Sequence, residues 1–253
     1  MKKYLTVLAF LGLMASSAHA DMHRVEAGAG VWMQKPKGDL SYSQGAAYGK
    51  DVVNDKEKNN NYAWILVKHS IPVLPNIRLE YVNVENTGQA SGKFEDFEAA
   101  LGTQTALKMK QFDIIPYYNI LDNTPWLTVD LGVDVKVIDI EYAASGVTVK
   151  GVAGENYSES VTVAIPLVYV RARVEIPGTD IGFEGDVKYV TYDGSTVSDM
   201  RVKVDYTLGF IPVIQPAIEV GYRAQKIDIS NSSVKTDINI DYSGAYVGLM
   251  LRF

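Results

Sequence analysis

Ala245-Tyr246-Val247-Gly248-Leu249-Met250-Leu251-Arg252-Phe253 closes the sequence with a run that alternates in character. In a strand, successive side chains point to opposite faces. Ala245, Val247, Leu249, Leu251 and Phe253 therefore share one face, and Tyr246, Gly248 and Met250 share the other. One face is wholly apolar and must be covered, either by a protein core or by lipid.

The opposite end of the chain bears on that choice. Lys2 and Lys3 precede an apolar run over residues 5–14, followed by Ala15-Ser16-Ser17-Ala18-His19-Ala20. A basic start, a short apolar stretch and small residues at a cleavage point make a secretory signal peptide over residues 1–20, leaving residues 21–253 as the mature chain. The apolar run is too short to cross about 30 Å of hydrocarbon as a helix, and no later stretch approaches the ~20 apolar residues that a helix needs. Without Lys2 and Lys3, 22 basic residues stand against 30 acidic, a net charge of −8. That balance argues against a nucleic-acid partner. Cysteine is absent, so neither disulfides nor a thiolate enter the chemistry. Sixteen tyrosines and few helical periods point to an all-β chain.

Taken in order, alternation marks a first strand over 25–33. Residues 35–61 form a polar stretch expected to be an exposed loop. Strands follow over 62–71 and 77–87, joined by a turn at 72–76, and a fourth over 105–120 leads into the turn 122–125. The fifth is the clearest: Leu127, Val129, Leu131, Val133, Val135 and Val137 face one way, and Thr128, Asp130, Gly132, Asp134 and Lys136 the other. Its length exceeds the usual five or six residues and suits a tilted membrane strand. After an expected loop at 143–156 come strands over 168–176, 181–192, 200–211 and 217–229, then the terminal strand. The total is about ten, an even number, with short turns alternating with longer polar connections.

Hairpin counting gives a register. If 177–180 is a four-residue loop, Arg173 faces Glu184 and Arg171 faces Asp186, with Val174 against Phe183 and Val170 against Val187 on the other side. Turns at 212–216 and 72–76 place Asp205 opposite Arg223, and Lys68 opposite Glu80. Opposite charges facing one another favour such pairings. The polar face is then a crowded interior laced with ion pairs, because a small closed sheet has little free width. About ten apolar stripes cannot all hide inside so narrow a barrel, so they face lipid. Trp126, Tyr117, Tyr118 and Phe210 beside the short turns suit an interfacial girdle.

Gly248, Leu251 and Phe253 also resemble the terminal assembly signal of bacterial outer-membrane barrels, a glycine followed at plus three by a hydrophobic residue and at plus five by an aromatic one. Over its full length the chain is similar in architecture to the small Gram-negative outer-membrane β-barrel families. The resemblance implies a single closed antiparallel transmembrane barrel with short periplasmic turns and longer extracellular loops. It also implies surroundings of outer-membrane lipid and lipopolysaccharide, and insertion by the barrel-assembly machinery. It names no reaction.

Chemistry is sparse. His69 is expected to face lipid opposite Leu79 beside a turn, and His23 lies next to the mature terminus, so no loop serine has an evident base. Asp113 and Asp134 are expected near one another in the lumen, with Lys136 and Tyr117. Asp51, Asp55 and Glu57 match no trustworthy cation loop. No cofactor or metal is implied. The expected function is a non-enzymatic, structural or porin-like protein passing small solutes. The alternatives are recognition through outer loops, above all 35–61, and a hydrolase. Deleting Phe253 should lower the yield of assembled protein in membranes far more than it lowers the unfolding midpoint of protein already inserted; equal losses would contradict the terminal-signal reading.

Overall fold

Alternation extends further along the chain than hydrophobicity alone suggests. The structure, a computed structural model, describes residues 23–253 apart from 72, 125, 210–213 and 232–234. The expected signal peptide and the turn residues Pro72, Pro125, Phe210 and Pro212 lie outside the described residues. Eleven strands follow in order: β1 Arg24–Gln44, β2 Ala47–Val53, β3 Lys58–Lys68, β4 Asn76–Lys93, β5 Phe97–Thr124, β6 Leu127–Val149, β7 Val152–Glu175, β8 Ile181–Tyr192, β9 Ser195–Thr207, β10 Gln215–Asn231 and β11 Thr236–Arg252.

All pairings are antiparallel, and β11 closes onto β1 with Leu249 opposite Ala29. β2 and β3 together fill one place. β1 pairs with β3 through its first half and with β2 through its second, and both pair with β4. The ring therefore holds ten strands. The break between β2 and β3 is pinned where Asn54 donates its backbone N–H to the Thr87 carbonyl at 2.8 Å and its side-chain amide to Thr87 Oγ1 at 3.0 Å.

The start of β1, the end of β11 and the β3–β4, β5–β6, β7–β8 and β9–β10 turns share one end of the barrel, called here the near end. The far end carries the other turns. Around the wall, outward residues are apolar up to a sharp boundary. Tyr81, Phe112, Val137 and Ala164 stand in one row across β4 to β7, and two residues further on Asn83, Lys110, Asp139 and Thr162 form the next row. The same change occurs across β9, β10, β11 and β1, where Ser198, Lys226, Asp241 and Lys37 are in register. On β6 the apolar stretch from Leu127 to Val137 spans ten rises of about 3.3 Å, which at a tilt of about 40° gives about 25 Å, the height of a membrane belt. Exposed Tyr118, Trp126 and Tyr206 lie toward its near edge, where aromatic side chains suit the lipid–water interface. Tyr117, expected with them, points inward and is buried.

Beyond the far row the strands continue, and here the sequence expectations fail. Residues 35–61 are not a loop but the far half of β1, all of β2 and the start of β3. Residues 143–156 are likewise strand around a two-residue turn, Lys150-Gly151. Asp193-Gly194 is a second such turn, with φ of 48° and 79°, the left-handed pair that a tight hairpin requires. Among the described residues the far connections are thus tight turns of two or three residues rather than long loops. Above the belt the outward face is polar, and along residues 152–162 of β7 nearly every residue on both faces is exposed, so the apolar stripe that marks the belt ends there. Val133→Arg, near mid-belt, should cost about 2–4 kcal/mol in urea unfolding from lipid vesicles, whereas Thr162→Arg, beyond the boundary, should cost about 0–1 kcal/mol.

Candidate functional site in the barrel lumen

The inward residues form three layers. The near layer is ionic and buried. Arg171 donates to Asp130 and, at 2.7 Å, to Glu184. Arg173 is bidentate on Asp205 at 2.7 and 3.1 Å and reaches Glu184 at 3.3 Å. Arg201 bridges Asp186 and Glu80, each at 2.8 Å. Lys188 joins Glu80 at 2.7 Å to Asp113, which also accepts from Lys136 at 2.7 Å. Lys136 and Arg223 share Asp199, and Lys203 donates to Glu219 at 3.0 Å. Arg252 ties Glu26 to Asp205, linking the terminal strand into the network. Charges taken out of water are tolerable only when paired with good geometry.

Large aromatic side chains complete this layer by lying flat on glycines. An added Cβ on Gly28 would sit 2.5 Å from Trp64 Nε1, and one on Gly248 would overlap the Tyr62 hydroxyl. The bare backbone admits both rings, a device that also fixes register. Tyr62 and Trp64 then donate to Glu219 at 2.7 and 3.1 Å. Trp64 presents its ring to Lys203 at 4.4 Å and Arg78 at 4.7 Å, and Trp32 faces Arg223 at 5.0 Å, close enough for cation–π attraction.

Above lies a thin amide layer. Gln111 and Gln225 exchange hydrogen bonds at 3.0 and 2.7 Å, and Asn86 links Gln34 to Tyr242. A third layer is aliphatic: Leu107, Met109, Ile138, Ile227 and Ile240 are buried, and half-exposed Leu40, Ile140, Val163, Ile165, Ile229 and Ile238 surround them. Beyond it, at the far end, buried Asp51 accepts from Tyr142 at 2.9 Å. Burial pushes the Asp51 carboxyl up. A raised carboxyl favours its neutral form, so its contribution to stability is greatest at low pH and fades as pH rises through the shifted value.

The structure places Arg171 opposite Asp186 and Arg173 opposite Glu184, in the register counted from the 177–180 loop. The direct ionic partners nonetheless differ from that hairpin's pairs: Arg171 bonds Asp130, its opposite on β6, and Glu184 diagonally, while Asp186 bonds Arg201, its opposite on β9. The other two expected pairs are corrected. Glu219 faces Asp205, and Arg201 faces Arg223. Trp64 faces Glu80, and Lys68 faces Arg24. Both turns start earlier than expected, at the ends of β3 and β9, and each register moves by four residues. An even shift leaves every side chain on its expected face. His69 lies within the widened turn, where Nε2 is 3.1 Å from the Pro75 carbonyl, and Leu79 faces Ile65 instead. Asp113 faces Lys136, and Asp134 sits 4.0 Å from Lys188 with neither carboxylate oxygen hydrogen-bonded.

Sequence reasoning missed one pair, Ser70 Oγ and His23 Nε2, 3.2 Å apart and exposed at the near end. The two residues are too distant in sequence for spacing to reveal it. Among the described residues no metal-binding cluster occurs, and Asp51 is buried while Asp55 is exposed beside Lys35. Of the terminal signal residues, Gly248 lies under Tyr62, Leu251 faces out, and Phe253 exchanges backbone hydrogen bonds with Val25.

No family profile and no curated protein sequence matches the chain. Among solved structures, the outer membrane protease OmpT from Escherichia coli is similar with a TM-score of 0.59 at 12% identity, over 94% of this chain and 100% of that one. The translocator domain of the autotransporter NalP from Neisseria meningitidis reaches a TM-score of 0.43 at 12% identity, over 100% and 98%. Neisserial surface protein A gives 0.32 at 12% identity, over 91% and 97%. The chain has the fold of the Gram-negative outer-membrane β-barrels. With its apolar belt, that fold defines an integral outer-membrane protein.

The lumen predicts a contrast between two aspartates. Asp113→Asn leaves Lys136 and Lys188 short of charge and should cost about 3–5 kcal/mol. Asp134→Asn removes a carboxylate without hydrogen bonds and should change stability by less than about 1 kcal/mol. Urea midpoints of the two variants in the same vesicles distinguish them.

Proposed function

We propose that this protein is a non-enzymatic, structural outer-membrane barrel whose lumen is sealed to solutes. Its near end would face the periplasm and its extended sheet the outside. The observation that carries the reading is the fill of the lumen. Ionic, amide and aliphatic layers follow one another along the axis, and the buried charges, the Asp134 carboxylate apart, are committed to one another. A narrow passage would need mobile or unpaired groups along a continuous water path, so the porin-like alternative is the weaker one.

OmpT is by name a protease. Here, His23 and His69 both lie at the near end, and His23 with Ser70 is exposed. Among the described residues no acidic group orients that pair, which a nucleophile and base require. Recognition, tied at first to the 35–61 stretch, would fall instead to the projecting β5–β6–β7 sheet. Insertion by the barrel-assembly machinery through Gly248, Leu251 and Phe253, in a membrane of outer-membrane lipid and lipopolysaccharide, belongs to the same reading.

Planar-bilayer recording of the refolded mature chain tests it. Protein shown to be folded by its heat-modifiable migration should give no discrete conductance steps. Ion-selective steps that change on substituting Lys136 or Lys188 would overturn the sealed-lumen reading and favour passage.

A further inference from the structure

The wall of the barrel is interrupted between β7 and β8. β7 and β8 pair from Glu175 opposite Gly182 only as far as Val168 opposite Tyr189. Beyond that, β7 continues to Val152 along β6 alone, while β8 turns back at Tyr192. Pro166, with no N–H to donate, stands where the two strands part. A crevice of about 460 Å³ opens there, between β7 and the tip of the β8–β9 hairpin. That volume falls within the range of small-molecule sites, about 300–1,000 Å³.

Its lining is aliphatic at depth and hydroxylic at the rim. Ile165, Val197 and Ile229 form the floor, and Ser195 and Ser230 stand at the edge with Asp193. Ile165 and Ile229 also belong to the aliphatic layer of the lumen, where a second, smaller space of about 30 Å³ adjoins them. The crevice thus joins two apolar regions. Outside, Ala164 belongs to the last apolar row of the belt, one step before Thr162 in the polar row. Inside lies the half-exposed ring of aliphatic side chains. A patch of apolar surface held open between lipid and a closed lumen gains by being covered.

The rim selects among apolar ligands. Its one charged lining group is an acid, Asp193. A carboxylate or phosphate head would meet like charge there, whereas a neutral hydroxyl finds the Ser195 hydroxyl, which accepts from the Ser230 backbone N–H at 3.3 Å, beside the Ser230 hydroxyl, which donates to Asp237 at 2.7 Å. We propose that the crevice between β7 and the β8–β9 hairpin binds a neutral single-chain aliphatic alcohol entering from the edge of the membrane, its chain on Ile165, Val197 and Ile229 and its hydroxyl at the Ser195–Ser230 rim.

The test uses the full mature chain in phosphatidylcholine nanodiscs with isotope-labelled isoleucine methyls, titrated with decanol. Saturable shifts should appear at Ile165 and Ile229 but not at lipid-facing Ile77 and Ile114, and decanoate should bind about tenfold more weakly, a penalty of like charge near the rim. Asp193→Asn should remove most of that difference. Ile229→Trp, which fills the floor, should abolish the saturable shift in protein that keeps its heat-modifiable migration; if that variant does not fold, Ala164→Trp at the mouth serves instead. The proposal is overturned by shifts that never saturate and match those of Ile77 and Ile114, or by undiminished saturation in the filled variant. Equal affinity for decanol and decanoate would overturn the selection by charge.

Discussion

A ten-stranded ring has an interior wide enough for side chains and little more, so every charge placed on its inner face must be answered by another within reach. That constraint organises the molecule. Arginine forks reach across neighbouring strands, and several carboxylates are shared: Glu184 among Arg171, Arg173 and Arg78, Asp205 between Arg173 and Arg252. Pairs of this kind add little net stability compared with an apolar filling, but breaking one strands a buried charge. Their physical consequence is a single register, because a slip in any strand would unmatch several ion pairs together. The glycines under Trp64 and Tyr62 serve the same end, since a side chain there would take the space those groups fill.

The outside of the barrel is governed by a different solvent. Lipid accepts any apolar side chain and asks for no shape complementarity, so the belt is free in detail but sharp at its edges. The rows at Asn83, Lys110, Asp139 and Thr162 mark where water begins. Past that line, β5, β6 and β7 rise above the short β8–β9 hairpin, leaving one side of the barrel taller than the other. The uneven height is what opens the crevice at Pro166.

Much of this was legible in the sequence. Alternation over 127–137 and in the terminal run exposed the lipid face, since only one face there is apolar. The loop at 177–180 fixed the β7–β8 register because its four residues are all the turn contains. The neighbouring turns misled because Pro75 stands inside a wider turn and Pro216 just past one, not at the limits of the strands. Asn76, bonding the His69 backbone, helps hold one of those wider turns. The far half of β7 was hidden for a deeper reason: over residues 152–162 both faces are exposed, and alternation carries no hydrophobic signal there. Part of the ion network was hidden as well, because long side chains also reach strands other than their hairpin partner, as Arg173 reaches Asp205 and Arg201 reaches Glu80.

The central claim is that the ionic layer is closed to bulk water while the outer lysines are open to it. Labelling of the folded, membrane-inserted protein with a water-soluble amine reagent, read residue by residue by mass spectrometry, tests this directly. The account requires rapid modification of exposed Lys35 and Lys110, with Lys136, Lys188 and Lys203 protected until the barrel is unfolded. Modification of those three lumenal lysines at the rate of the outer ones, in protein that remains folded, would contradict it.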